Sequence, residues 1–326
     1  MKSITPREVA RRLSSEKEIL IVSHESPDGD ALGCVTALGL MARSLRIPFR
    51  MYIPGEGSFP PEYSFLPLLS DIERGGFPEV TRETTAYLLD CATAERIDPT
   101  GLACAGDCIN IDHHQDNLGY GTLNLLDFGA TSTTQILFDV FVAGGLPVDS
   151  EIATSLYVGL VTDSGRFQYS NTTPAAHRMA ADLLLAGVDA NAVSRGLFET
   201  MPLAKILLQA RALGRLEMRL GGRLVISRVD ADDFADSGAS EGLTEGIIDG
   251  LRRIEGVAVA AFLRERTVAG VVSQKVSLRS TDGRIDVAEV AHLRGGGGHV
   301  RAAGFTVEGE ARGVMDWIER EVGARL

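Results

Sequence analysis

The chain has 326 residues, 44% hydrophobic and 23% charged, which fits a soluble globular protein of about two domains. No apolar run approaches the ~18 residues of a membrane span, and the basic start from Met1 to Arg12 leads into no apolar stretch, so neither an anchor nor a secretion signal is expected. A net charge of −12 argues against an electrostatic grip on long nucleic acid, and four cysteines (Cys34, Cys91, Cys104, Cys108) with no C-x-x-C spacing give neither a disulfide framework nor a thiolate zinc site, so a reducing cytoplasm is the expected compartment.

The first apolar run, Ile19 to Val22, leads into Ser23-His24-Glu25-Ser26-Pro27-Asp28-Gly29-Asp30, and a helical pattern follows from Ala31 to Leu45. This reads as strand, tight loop and helix N-terminus, with one histidine and two aspartates on the loop. The spacing lets both carboxylates face one pocket, and Gly29 is expected to relax the backbone between them. Further apolar runs at 49–53, 86–89 and 108–111 alternate with helical patterns, the signature of a parallel sheet flanked by helices. Residues 54–67 are rich in proline and glycine and read as loop or a short broken helix. Helices are expected over Thr131–Ala143, 150–161, 174–186 and 189–198. The apolar helices around Thr131–Val161 could bury a homodimer interface, and core packing explains them equally well.

The amphipathic segment from Pro202 to Arg215 reads as a helical linker. Beyond it the pattern becomes β-rich: a hairpin turning at Gly221-Gly222, strands over 257–264 and 271–279, and helices over 286–293 and 311–322. The expected organisation is an α/β catalytic domain over 1–190, a linker over 191–215 and a smaller α+β domain over 216–326, with the active-site cleft between the two domains. Residues 1–215 carry 17 Lys and Arg against 26 Asp and Glu, whereas residues 216–326 carry 15 against 18. The acid excess sits with the opening motif, as a cation site requires, although a solvated acidic surface would look the same.

Four elements end in acidic or imidazole side chains: His24, Asp28 and Asp30; Asp90; Asp112-His113-His114; and Asp163 after an apolar run that is helical. In parallel sheets, ligands gather beyond the carboxyl ends of the strands, so these residues should converge. Asp28, Asp30, Asp90 and Asp163 would balance two divalent cations, with His24 and His113 as neutral ligands. Mixed oxygen and imidazole donors suit Mn²⁺, with Mg²⁺, Co²⁺ or Zn²⁺ as substitutes. Two such ions about 3.5–4 Å apart can activate water and clamp a phosphate oxygen.

In this order the motifs resemble the DHH phosphoesterase family. The tail Gly295-Gly296-Gly297-Gly298-His299-Val300-Arg301-Ala302-Ala303-Gly304 is similar to the Gly-Gly-Gly-His motif of the DHH-associated C-terminal domain. The resemblance implies that His24, Asp28 and Asp90 hold one metal and that Asp30, Asp90, His113 and Asp163 hold the other. It implies a place for His114 beside the scissile phosphate, either assisting the leaving oxygen or supporting Asp112. It also implies substrate contacts from Arg166, Arg279, Ser280, Gly297, Gly298 and His299. Lys275, Ser277 and Arg279 fall on one face at strand period.

Chain length and the glycine–histidine tail resemble the nanoRNase/pAp phosphatase group of that family. These cytoplasmic enzymes release 5′-mononucleotides from very short oligoribonucleotides and dephosphorylate 3′-phosphoadenosine 5′-phosphate. The alternative within the enzyme class is a soluble cyclic- or linear-dinucleotide phosphodiesterase. A RecJ-type exonuclease would carry a further nucleic-acid-binding domain, and a family II pyrophosphatase a basic Ser-Arg-Lys-Lys type motif. From other classes, a catalytically silent nucleotide sensor or a structural metal protein would bind without turnover.

Overall fold

A computed structural model describes every residue except Met1, Cys104, Glu245, Ala269 and Asp282. The chain divides into two compact units, Met1–Thr200 and Met201–Leu326. Among the cysteines, Cys34, Cys91 and Cys108 are free thiols, and Cys104 lies outside the described residues.

The first unit opens with α1 (Pro6–Leu13), closed at its start by a reciprocal Thr5–Glu8 capping box. Then come β1 (Ile19–Val22), α2 (Gly29–Leu45), β2 (Phe49–Tyr52), β3 (Thr85–Leu89), α3 (Pro99–Leu102), β4 (Asp107–Asp112) and β5 (Leu123–Leu126). Four helices complete it: α4 (Thr133–Gly144), α5 (Ser150–Asp163), α6 (Pro174–Leu185) and α7 (Ala190–Ser194). The five strands are all parallel, in the order β2-β1-β3-β4-β5.

Both sheet faces are covered, which is why the strands read as continuous apolar runs. Ile19, Ile21, Tyr87 and Leu89 enter one core with α2, α4 and α5, while Leu20, Val22, Ala86 and Leu88 enter another. The apolar residues of α4 and α5, among them Ile136, Phe141, Ile152 and Leu156, belong to the first of these cores. The chain leaves β1 toward β2 and returns to β3 on the other side of β1. That reversal opens a crevice at the carboxyl ends of β1 and β3.

The second unit begins with α8 (Leu203–Gly214). It continues through β6 (Glu217–Arg219), β7 (Leu224–Val229), α9 (Ala231–Ser237), α10 (Ile247–Leu251), β8 (Val259–Val268) and β9 (Val271–Ser280). It ends with α11 (Val287–His292), β10 (Gly297–His299), β11 (Ala302–Glu308) and α12 (Ala311–Gly323). Its mixed sheet has the order β10-β11-β9-β8-β7-β6, with β7 and β8 the parallel pair. Leu208 and Ala212 of α8 pack with Val225, Val229, Ala260 and Phe262, so this helix is part of the second unit's core. The opposite face packs on α11 and α12.

Gly297 and Gly298 of the glycine run, with His299, form strand β10 itself. A Cβ at Gly296 would lie 2.2 Å from the Gly304 carbonyl oxygen, and one at Gly298 would lie 2.4 Å from that of Ala302. The hairpin is too close for side chains there.

Candidate metal centre

The crevice at β1 and β3 collects the acidic and imidazole residues of the first unit. Asp28 is the N-cap of α2. Its Oδ1 accepts the N–H groups of Asp30 (3.0 Å) and Ala31 (3.1 Å), which leaves Oδ2 for another partner. Asp30 follows in the first turn and is buried. Its carboxylate takes the start of α4: Thr133 N–H at 2.6 Å, Thr134 N–H at 3.0 Å and the Thr134 hydroxyl at 2.8 Å. A helix N-terminus is the favourable end for an anion.

Gly29 does not have the role its flexibility suggests. It lies inside α2 with ordinary helical backbone, and a Cβ there would sit 2.4 Å from Thr162 Oγ1 on α5. The glycine allows α2 to approach α5. Gly159 on α5 acts likewise, since its Cβ would fall 2.6 Å from Asp30 Oδ1.

Asp90 follows β3 with φ of 55°, a left-handed conformation that a non-glycine residue adopts at a cost of order 1–3 kcal/mol. The Thr133 hydroxyl donates to its Oδ1 at 2.9 Å. Asp90 stands at the centre of the histidines: Oδ2 is 3.8 Å from His24 Nε2, and Oδ1 is 3.8 Å from His113 Nε2 and 3.6 Å from His114 Nδ1. His113 Nε2 also lies 3.6 Å from Asp163 Oδ2. Asp163 is the last residue of α5.

Asp112 is buried and turns inward to organise the histidine pair. Its Oδ1 accepts the backbone N–H groups of His113 and His114 and faces His114 Nδ1 at 2.8 Å. The Asn117 side-chain amide donates to Oδ2 at 2.6 Å and to the Cys91 carbonyl at 3.2 Å, tying the Asp112 loop to the residue after Asp90.

The electrostatics set these carboxylates apart from one another. Burial pushes Asp30 well above the usual carboxylate range, and the charges of Asp90, Asp163 and Asp28 add to the push. Desolvation and then the Asp90 charge raise Asp28, whose side chain reaches solvent at the rim but is crowded by protein. Burial is also the first cause lifting Asp163 to about 6. Asp90 goes the other way: burial alone would raise it, but the His24 contact and the three imidazoles outweigh burial and hold it low. His114 is raised to about 9, chiefly by its bond to Asp112. Burial opposes protonation of His24, yet the Asp90 carboxylate and the Glu25 carbonyl prevail and raise it.

Crowded carboxylates among imidazoles form the donor set of a cation site. Three groups each bring their ligand atoms within 4.8 Å of one another: His24, Asp28 and Asp90; Asp30, His113 and Asp163; and Asp90, His113 and His114. The fit to divalent ions is good, because cations would offset the burial and the mutual repulsion that raise Asp28, Asp30 and Asp163.

Residues 18–160 match the DHH family, N-terminal domain, and residues 221–319 match the DHHA1 domain. The bifunctional oligoribonuclease and PAP phosphatase NrnA of Thermus thermophilus is 34% identical over 294 residues, spanning 90% of this chain and 85% of that protein. The chain belongs to the DHH family. The fold agrees. An exopolyphosphatase-related protein from Bacteroides fragilis superposes with a TM-score of 0.84 at 23% identity, covering 97% of this chain and 94% of that one. The exonuclease RecJ, solved bound to manganese, superposes with a TM-score of 0.54 at 16% identity, covering 99% and 95%.

In this DHH chain the structure brings together His24, Asp28, Asp30, Asp90, His113, His114 and Asp163. Arg166 lies three residues beyond Asp163 with φ of 61°, and its guanidinium rests 5.0 Å from the centre of the Phe198 ring. In the second unit Arg279 is half-buried on β9, with Nε 3.8 Å from Asp249 Oδ1. Ser280 is 1% exposed, and its hydroxyl oxygen accepts the Gly283 N–H at 3.2 Å. Gly297, Gly298 and His299 form β10, where Gly298 and His299 are exposed.

Sequence reasoning missed Thr133, Thr134, Asn117 and Arg96. Thr131 or Ser132 reads from the sequence as the N-cap of this helix, but the hydroxyls of Thr133 and Thr134 beside them donate to aspartates more than 40 residues away. Among the described residues, no helix is long and apolar enough to cross a membrane.

Proposed function

We propose that this chain is a divalent-metal-dependent phosphodiesterase that hydrolyses very short oligoribonucleotides to 5′-mononucleotides. We further propose that it removes the 3′-phosphate of 3′-phosphoadenosine 5′-phosphate and works in the cytoplasm. The observation that carries the reading is the 34% identity to an oligoribonuclease and PAP phosphatase over 90% of the chain. A donor set built for cations supports it.

His24, Asp28 and Asp90 would hold one ion, and Asp30, Asp90, His113 and Asp163 the other, with Asp90 shared. Manganese suits these mixed donors best. Bound there, the ions would supply Lewis acidity, lowering the pKa of water and drawing charge from a phosphate oxygen.

The remaining chemistry belongs to side chains. The start of α4 fixes Asp30 and Asp90 through Thr133 and Thr134, so the carboxylates need no reorganisation when substrate arrives. Asp112 engages His114 at Nδ1 and favours its protonated form. Nε2 can then give a proton to the leaving oxygen. Arg166 would contact the phosphate from the same unit. In the second unit, Arg279 and His299 offer side chains, and Gly297 and Gly298 offer backbone amides, to the remote end of the substrate; Ser280 would support that strand.

A substrate panel in Mn²⁺ tests this reading: dinucleotides, longer oligoribonucleotides, 3′-phosphoadenosine 5′-phosphate, cyclic dinucleotides and pyrophosphate. Dinucleotides and 3′-phosphoadenosine 5′-phosphate should turn over fastest. Turnover confined to cyclic dinucleotides or pyrophosphate would refute the proposal.

A further inference from the structure

Arg96 stands at the edge of the metal centre beside a partner it can keep in only one tautomer of His24. It closes the short helical turn Ala94–Arg96 that follows β3 and Asp90. Its carbonyl accepts the Glu25 N–H at 3.1 Å, which fastens this turn to the His24 loop. Its Nη2 lies 2.8 Å from His24 Nδ1 and 3.5 Å from the Glu25 carbonyl oxygen. That carbonyl oxygen lies 2.7 Å from the same Nδ1.

These two contacts to Nδ1 exclude each other. A guanidinium only donates, so the Arg96 contact needs a lone pair on Nδ1 and the proton on Nε2. A carbonyl only accepts, so the Glu25 contact needs the proton on Nδ1. A cation held by His24 through Nε2 takes that lone pair and leaves the proton on Nδ1, where the carbonyl receives it. Arg96 then faces a donor at Nδ1 and keeps only its long 3.5 Å contact to the Glu25 carbonyl, which leaves its fork open to a stronger acceptor. Among the described residues no carboxylate lies within 4.0 Å of its guanidinium, whereas Arg12, Arg43 and Arg50 of the same unit each hold one.

We propose that Arg96 is a substrate contact: when a divalent ion holds His24 through Nε2, the guanidinium leaves Nδ1 and binds a phosphate oxygen of the nucleotide. The proposal rests on the reading of the chain as a metal-dependent phosphodiesterase. Charge balance favours it. Asp28, Asp30, Asp90 and Asp163 offset two divalent ions, so the charge that develops on the phosphoryl group needs a further cation. Arg96 is a permanently charged group at the His24 side of the centre and forms planar paired bonds to phosphate oxygens.

The test combines calorimetry and kinetics on Arg96→Ala and Arg96→Lys. Mn²⁺ is titrated into each protein without substrate, and turnover of a 5′-phosphorylated diadenylate is then measured. Arg96→Ala should bind Mn²⁺ as tightly as the wild type or more tightly, because it loses a bond that only the cation-free tautomer makes. Its kcat/KM should fall by about 10- to 100-fold, mostly through KM, as expected for one charge-assisted hydrogen bond. Arg96→Lys, which keeps the charge but not the fork, should recover part of the loss.

A fall of Mn²⁺ affinity in step with kcat/KM would overturn the proposal and make Arg96 a support for His24. So would a kcat/KM within threefold of the wild type. Should Arg96→Ala fail to fold, Arg96→Gln removes the charge while keeping an amide donor, and the same two readouts apply. If the wild type turned over no nucleotide, the phosphodiesterase reading would fall. Diadenylate affinity in Mn²⁺, wild type against variant, would still decide for or against Arg96.

Discussion

Two sets of buried acids in this chain are treated in opposite ways. Asp233, on α9 of the second unit, is fully buried and fully answered: Arg215 Nη1 lies 2.8 Å from its Oδ2 and Arg211 Nη1 lies 3.5 Å from its Oδ1. The same carboxylate closes a capping box with the Asp230 N–H at 3.0 Å. Asp30 and Asp90 in the first unit are equally buried, yet among the described residues neither has an arginine or lysine within 4.0 Å. They face hydroxyls, helix amides, imidazoles and other carboxylates. A buried charge with its counter-charge holds a fold together; buried charges of one sign await a ligand. Burial alone does not separate site from scaffold, but the identity of the nearest cation does.

The contrast is broken most severely at Asp90. Asp90→Asn should keep the fold, because the amide oxygen still accepts from Thr133, but it removes the charge that both ions would share. Turnover should fall on the order of 1,000-fold, the several kcal/mol that metal-assisted charge stabilisation supplies. Wild-type kinetics in that variant would contradict a shared ligand.

Next in size is the response to the ion. If the first unit's carboxylates await a cation, Mn²⁺ at about 100 times its dissociation constant should stabilise the protein by about 2.7 kcal/mol, and a chelator should reverse the gain. Thermal unfolding with and without Mn²⁺ reads this directly, and a melting temperature unmoved by saturating Mn²⁺ would refute the cation site. Asp233→Asn sharpens the comparison from the other side. It strips charge from an answered pair whose arginines are part-exposed, so a loss of about 2 kcal/mol is expected, below the usual cost for a fully buried pair. The folded fraction should retain its turnover and its Mn²⁺ response. A selective loss of activity there would erase the distinction between the two sets of acids.

Much of this was legible in the sequence because the informative features are local. Apolar runs ending in Asp or His marked β1, β3 and β4 and the acidic and imidazole side chains that follow them, and the parallel α/β class followed from the alternation. What escaped depends on contacts distant in sequence. β5 is four residues long, and its Asn124 turns away from the core that takes Leu123 and Leu125. α9 and α10 are too short to show a helical period. Gly29 looked like a hinge because its neighbours are carboxylates; Thr162, more than 130 residues away, sets the need for glycine. Thr133 sits in the first turn of α4, and no periodicity could reveal that its hydroxyl is spent on Asp90.

The smallest effect separates two neighbours on β9. Alternation along this strand places Arg279 with Ser277 on one face and Ser280 on the other. Ser280 is sealed in: its hydroxyl oxygen serves the Gly283 amide, and its own N–H donates to the Arg301 carbonyl at 3.0 Å. Arg279 keeps its guanidinium part-exposed beside Asp249. Ser280→Ala should therefore cost about 1 kcal/mol of stability through one lost hydrogen bond and leave KM within about twofold. Arg279→Ala should raise KM by about tenfold with a smaller change in kcat, if it binds the remote phosphate. Equal KM effects in the two variants would mean that the strand acts as a unit, with substrate sensing its position and not the Arg279 side chain. A KM effect of Ser280→Ala alone would require the hydroxyl to leave Gly283, so the hairpin around β10 would have to rearrange on binding.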